Sequence, residues 1–248
     1  MANRVPVEPV LRLTREALTR AGERGVFRVV GARQPVRCVT EEPTSVLCMP
    51  EVSGPFHFTR FMSILCNDIT RRMDVFRHID MQRILVTFVR SRNPRIHGLQ
   101  AKLVPLRCRN GALTEERRGY EYKVQRFFVG EVELHYVLSF YLPRFLNQSF
   151  DEKMITIFHE LYHVGPNFCG DIRRFDGTRS VHNRSQREYD RHMAELVKMY
   201  LACKPPRMLY DFLKLNFQDL QRRYGEVVGV SVPSPKLIPV SKITKPAS

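Results

Sequence analysis

The stretch Met154-Ile-Thr-Ile-Phe-His-Glu-Leu-Tyr-His-Val164 decides how the rest of the chain is read. It contains His159-Glu160-x-x-His163, and on a helix these two imidazoles stand at i and i+4, one above the other on one face. That spacing suits two ligands of a single Zn2+ ion, with Glu160 beside them, placed to polarise a water rather than to bind the metal. The helix boundaries are written on both sides. Ser149-Phe-Asp-Glu152 is a capping box, and Asp151 adds negative charge to the first turn. Gly165-Pro166 is a stop, because glycine takes the left-handed conformation and proline cannot continue the helix. Between these signals Met154, Ile155, Ile157, Phe158, Leu161, Tyr162 and Val164 leave little polar surface, so the helix is expected to be buried. Two imidazoles and a carboxylate in such a helix need partners. A metal ion satisfies all three, and core histidines hydrogen-bonded to backbone are the plainer alternative.

Upstream, Phe58, Phe61, Met62, Leu65, Ile69 and Met73 recur at spacings of three and four, which predicts an amphipathic helix over 58–73. Met81 to Val89 reads as a strand. Leu99 to Leu106 reads as a second, with Pro105 confining it to an edge or an end. Two alternating runs follow, Tyr120 to Arg126 and Val132 to Phe140, joined through Val129-Gly130-Glu131 as a hairpin. His135 falls on the more solvated side of its strand and reads as a surface residue. The order of helix, strands and motif helix makes an α+β domain with a small mixed sheet. Glu133 to Tyr141, just before the motif helix, is the candidate edge to which an extended peptide adds, the alternative being that this strand is central.

A catalytic zinc needs a third protein ligand and an open position. After the glycine-bearing loop that follows the motif, Ser185-Gln-Arg-Glu188 opens another helix, with Tyr189, Met193, Leu196, Val197 and Tyr200 as its apolar stripe. His182 stands just before that start and is the favoured third ligand. Glu188 is its rival, although the capping box already explains it. Asp171 and Asp176 in the loop, His192 further along the helix and Cys169 are weaker candidates. Asp171 is equally suited to an ion pair with the neighbouring arginines, and Cys169 to a small buried role. Tyr189, Tyr162 and Arg173 are candidate donors to a developing oxyanion.

With His159-Glu-Leu-Tyr-His163, Gly170-Asp-Ile-Arg-Arg-Phe175, and Val181-His182 leading to Tyr189-Asp190, the sequence resembles the phage-type metallopeptidases, relatives of the SprT-like and Spartan zinc peptidases. The resemblance spans roughly residues 55–201. It implies a zincin-like fold of minimal gluzincin or SprT-like type, in which a second helix packs on the motif helix. It implies zinc held by His159, His163 and His182, Glu160 as the catalytic base, and a peptide or protein substrate. The zinc ribbon that SprT-like proteins often carry has no counterpart, since Cys203 stands alone.

Lys and Arg number 40 against 25 Asp and Glu, a formal net charge of +15 that favours polyanions and leaves nucleic acid as a possible partner through a basic surface. A metal-stabilised binding module without catalysis, or a nucleic-acid-associated protein, is the competing function. The six cysteines form no Cys-x-x-Cys pair and suggest no disulfide framework. No apolar run reaches the length of about 18 residues that a membrane span needs, and the N-terminus lacks a signal-peptide core, so a cytoplasmic location is expected. Residues 1–54 read as a basic extension, with a short helix from Val10 to Ala21 and strands near Val26–Val30 and Val36–Val39. Residues 55–224 form the metallopeptidase domain, with a packing helix from Met208 to Tyr224. Residues 225–248 read as a tail in which Val227 to Val232 has strand character.

Overall fold

The computed structural model describes residues 10–13, 28–30, 54–91, 98–174 and 186–242. In chain order the strands are β1 (Val10–Leu13), β2 (Arg28–Val30), β3 (Phe56–His57), β4 (Ile84–Arg90), β5 (Ala101–Pro105), β6 (Thr114–Arg117), β7 (Tyr120–Val124), β8 (Arg126–Val129), β9 (Val132–Glu133), β10 (Tyr136–Leu142), β11 (Val227–Val228) and β12 (Leu237–Lys242). The helices are α1 (Phe58–Arg72), α2 (Phe150–Tyr162), α3 (Gln186–Ala202) and α4 (Phe217–Tyr224). The protein is α+β, and no described helix is long and apolar enough to cross a membrane.

The sheet beneath the motif helix has the order β4-β10-β5, with β10 parallel to β4 and antiparallel to β5. The strand before the motif helix is therefore central, and the edges are β4 and β5. Composition explains the correction: Tyr136, Val137, Leu138, Ser139 and Phe140 are all buried, the near-continuous apolar run of a strand covered on both faces. One face carries Val86, Leu103, Leu138 and Phe140 against Phe58, Met62 and Leu65 of α1 and Ile157, Phe158 and Leu161 of α2. The other carries Leu85 and Val137 against Leu106, Phe127, Leu134 and Val230. Helix α3 packs on α2 through its expected stripe, and the Tyr200 hydroxyl donates to Asp68 Oδ2 at 2.8 Å, tying it to α1.

The expected hairpin is divided. Gly130 turns β8 into β9, with Val129 opposite Val132, while β7 pairs instead with β6 and β12. The chain changes sheets between Leu134, whose N–H donates to Phe127 O, and His135, whose N–H donates to Arg83 O. That crossing splits one alternating run into two strands. The helix expected from Val10 begins instead as β1, parallel to β8 and antiparallel to β2; the sparse apolar stripe there gave a helix little to bury. Val36–Val39 lies outside the described residues. Residues 208–224 are two short 3-10 turns, Arg207–Leu209 and Asp211–Lys214, followed by α4, which Asn216 caps by accepting from Asp219 N–H at 2.9 Å. The C-terminal stretch read as a tail is built into the sheets over 227–242. β11 pairs with β3, Val230 is bonded to Thr59 and Phe88, and β12 pairs with β7.

Candidate metal centre

Helix α2 starts as its sequence dictates: Ser149 Oγ accepts from Glu152 N–H, and the Glu152 carboxylate accepts from Ser149 N–H at 2.8 Å. It ends at His163, where the chain turns through Gly165. A Cβ on Gly165 would lie 2.6 Å from the Asp171 carbonyl oxygen, so only glycine lets the returning segment approach. That segment makes a bridge from Ile172 to Val164, and Arg173 N–H donates to His163 O at 2.8 Å. Arg173 Nε also donates to Tyr162 O at 2.9 Å, and its guanidinium lies 4.2 Å from the centre of the Tyr162 ring. The C-terminal turn of the motif helix is thus fixed from outside.

On this turn the Nε2 atoms of His159 and His163 are 2.9 Å apart, with the ring planes at 80°. Two nitrogens, each about 2.0–2.1 Å from a tetrahedral zinc, are separated by roughly 3.3 Å, so the pair needs to open only by a few tenths of an ångström to share one ion. Tyr189 of α3 covers it, edge-on to His159 at 4.8 Å between ring centres and near-parallel to His163 at 6.3 Å. The Tyr189 hydroxyl is buried and has no hydrogen-bond partner among the described residues, and burial holds this phenol above its usual pKa.

Glu160 is 7% exposed, and its Oε2 accepts from Leu103 N–H of the edge strand at 2.7 Å. Burial pushes its pKa up to about 7, while the Leu103 N–H and the Lys102 charge pull the other way. Burial wins because one hydrogen bond and one exposed cation do not replace the lost hydration of a carboxylate. The group is left close to the value a proton-transferring side chain needs at neutral pH.

The other candidates separate clearly. His182 and Asp176 lie outside the described residues. Glu188 is exposed on the first turn of α3, and His192 is exposed with its ring edge-on to Tyr162 at 5.5 Å. Asp171 is buried but occupied: it accepts from the N–H groups of Asn110 and Ile172 and from the Arg174 guanidinium. It pairs with Arg174 and serves the loop, not a metal. Cys169 is half-buried, so close to Gly111 that a Cβ there would meet it at 2.9 Å. His135, read as a surface residue, is half-buried and bonds Phe168 O through Nδ1 at 2.9 Å, which anchors the loop after the motif. Among the described residues no group of three or more His, Cys, Asp or Glu is placed to hold a metal, so His159 and His163 stand there as a pair.

One participant had no signature in the sequence, and the position of another had none. The Leu103 donor is a backbone amide, which any residue but proline supplies. Tyr189 was visible as a stripe residue, and its place over the histidines depends on how α3 crosses α2. The chain matches no protein-family model, no curated protein and no solved structure.

Proposed function

We propose that the chain is a zinc-dependent metallopeptidase with a zincin-like core, in which His159 and His163 supply two metal ligands, His182 supplies the third and Glu160 is the general base. The observation that carries this reading is the His159–His163 pair, with Nε2 atoms 2.9 Å apart, beside a buried carboxylate whose pKa is about 7. Zinc in such a site supplies Lewis acidity and lowers the pKa of water. Glu160 accepts the proton of the attacking water on a carboxylate oxygen and returns it to the leaving amine nitrogen. Leu103 N–H holds Oε2, so the base is fixed before substrate arrives. Tyr189, with its buried hydroxyl over the histidines, is the best-placed donor to the oxyanion. Arg173 is already committed to Tyr162 O and the Tyr162 ring.

The same geometry supports β5 as the substrate strand. In an antiparallel edge, alternate residues turn both N–H and C=O outward. The Tyr141-to-Gln100 and Leu106-to-His135 bonds turn the even-numbered positions inward, so Ala101, Leu103 and Pro105 face out. Proline falls where no ladder N–H is needed. An extended peptide then finds both backbone groups of Ala101 and the Leu103 carbonyl, next to the base.

Metal content tests the proposal. The purified protein is expected to bind about one zinc per chain, lost in His159→Ala and His182→Ala and kept in Glu188→Ala and Glu160→Gln. A wild type that binds no zinc ends the reading, and zinc lost in Glu188→Ala but kept in His182→Ala replaces the third ligand.

A further inference from the structure

Lys102 lies in the middle of β5, immediately before the residue whose amide holds Glu160, and its side chain is exposed. Among the described residues no carboxylate forms an ion pair with it, whereas Arg72, Arg83, Arg107, Arg126 and Arg174 each have an acidic partner. Its cross-strand neighbour on β10 is Ser139, which is neutral and already bonded to Thr87. The ammonium is within electrostatic reach of Glu160, where it opposes the effect of burial. A cation with no ion-pair partner among the described residues thus stands on the strand along which a peptide would lie.

We propose that Lys102 selects an acidic side chain in the bound peptide, so that the substrate class is an extended segment carrying Asp or Glu at one fixed position beside the scissile bond. This inference rests on the peptidase reading. Its geometry follows from strand alternation. Ala101 and Leu103 send their side chains to the face covered by α1 and α2, and Lys102 sends its own to the opposite face. A peptide added to the outer edge of β5 places the side chain opposite Lys102 on that same face, with Cβ atoms about 5 Å apart. That residue is one position away from the one facing Leu103, whose amide marks where Glu160 acts. Opposite charges across such a pair attract and like charges repel, and the net charge of +15 draws acidic chains toward the surface from further off.

The test uses zinc-loaded full-length protein and a peptide mixture randomised at single positions in a neutral, extended background. Cleavage is expected to favour Asp and Glu over Lys and Arg by about three- to tenfold in kcat/KM at one position only, as expected of an exposed pair. Lys102→Glu is expected to reverse the preference without changing zinc content, and added salt to weaken it. Lys102→Arg keeps it. A wild type with no fixed acidic position, or a Lys102→Glu variant with an unchanged preference, overturns the proposal. Fluorescence anisotropy with Glu160→Gln protein and the same peptides separates the two levels. Binding that favours the acidic peptide and depends on Lys102 upholds the selection even if the wild type cleaves nothing, a result that would sink hydrolysis alone. Equal binding of acidic and basic peptides overturns the selection.

Discussion

Lys153 and Glu160 stand two turns apart on α2, and the two halves of the helix hold a buried charge in different ways. Lys153 is 1% exposed, and its ammonium donates to the carbonyl oxygens of Leu213 and Leu215, both at 2.8 Å. Those carbonyls belong to the turn that interrupts the helix expected over 208–224. The lysine therefore fixes a segment distant in sequence onto the motif helix. Glu160, nearly as buried, has one oxygen bonded to Leu103 N–H and, among the described residues, no ion pair with a cation. One end of the helix is closed around its charge; the other sets a carboxylate beside two imidazoles whose Nε2 atoms are 2.9 Å apart. On the proposed reading stability resides at the first end and chemistry at the second, which makes the contrast testable.

The largest difference is expected from Glu160→Gln. The amide keeps the size and can still accept from Leu103 N–H, but it cannot take a proton, so peptide hydrolysis should fall by about 10²–10⁴-fold with zinc content retained. Urea unfolding of the same variant below about pH 5, where the native carboxyl keeps its proton, should differ from wild type by less than about 1 kcal/mol. Activity that survives the substitution removes Glu160 from the proposed mechanism.

Lys153→Ala inverts that pattern. It empties a buried site and strips two carbonyls of their donor, a loss of about 2–5 kcal/mol in unfolding free energy. Lys153→Met fills the volume but not the hydrogen bonds, and should recover about half of the loss. Zinc stoichiometry in whatever remains folded should stay the same. If Lys153→Met unfolds no more easily than wild type, the carbonyl contacts carry no stability.

The legible and illegible parts of the sequence divide along the same line. Ser149 and Glu152, the stripe of α1, the proline of β5 and the spacing of His159 and His163 are local signals, and each appears in the structure where local chemistry puts it. The burial of Lys153, the central place of β10 and the partner of Glu160 depend on which segments meet across the fold. No local pattern carries that information. Nothing in the run Asp151-Glu-Lys-Met154 marks its lysine as buried; the carbonyls that hold it come from the chain at Leu213 and Leu215. The third ligand remains a proposal at His182, which lies outside the described residues, and the pair it would complete is formed by one helix alone.

Titration sharpens the comparison, because the two groups bend the pH profile of the metal-free protein in opposite directions. Glu160 has a carboxyl pKa raised by burial from 4.5 to about 7. Between those values the unfolded chain has released the proton and the native one retains it, so stability falls as pH rises through that window. Lys153 has its pKa lowered by burial from 10.5 to about 8, with Asp219 opposing. Between 8 and 10.5 the unfolded state holds the extra proton, and stability rises with pH. Each arm is worth at most about 3 kcal/mol. Chelator-treated protein, unfolded in urea across pH, should show a fall, a plateau and a rise. Glu160→Gln should flatten only the first arm and Lys153→Met only the last. A slope that both variants leave in place belongs to other groups.

The smallest effect belongs to the cap at the Lys153 end. Ser149 Oγ accepts from Glu152 N–H, and the Glu152 carboxylate, held below its usual pKa by the bonds from Ser149, completes the box in return. Ser149→Ala removes the hydroxyl and should cost about 1 kcal/mol in unfolding free energy. The exposed position gives water a route to the freed amide, which is why the cost stays below that of Lys153→Ala. Ten residues on, the His159–His163 pair is fixed by Arg173, Gly165 and the bridge from Ile172, none of which touches the cap. Zinc affinity measured by competition with a chromophoric chelator should therefore be unchanged in Ser149→Ala. A parallel loss of affinity and stability would mean that the helix responds as one rigid rod, and that its two ends are not independent after all.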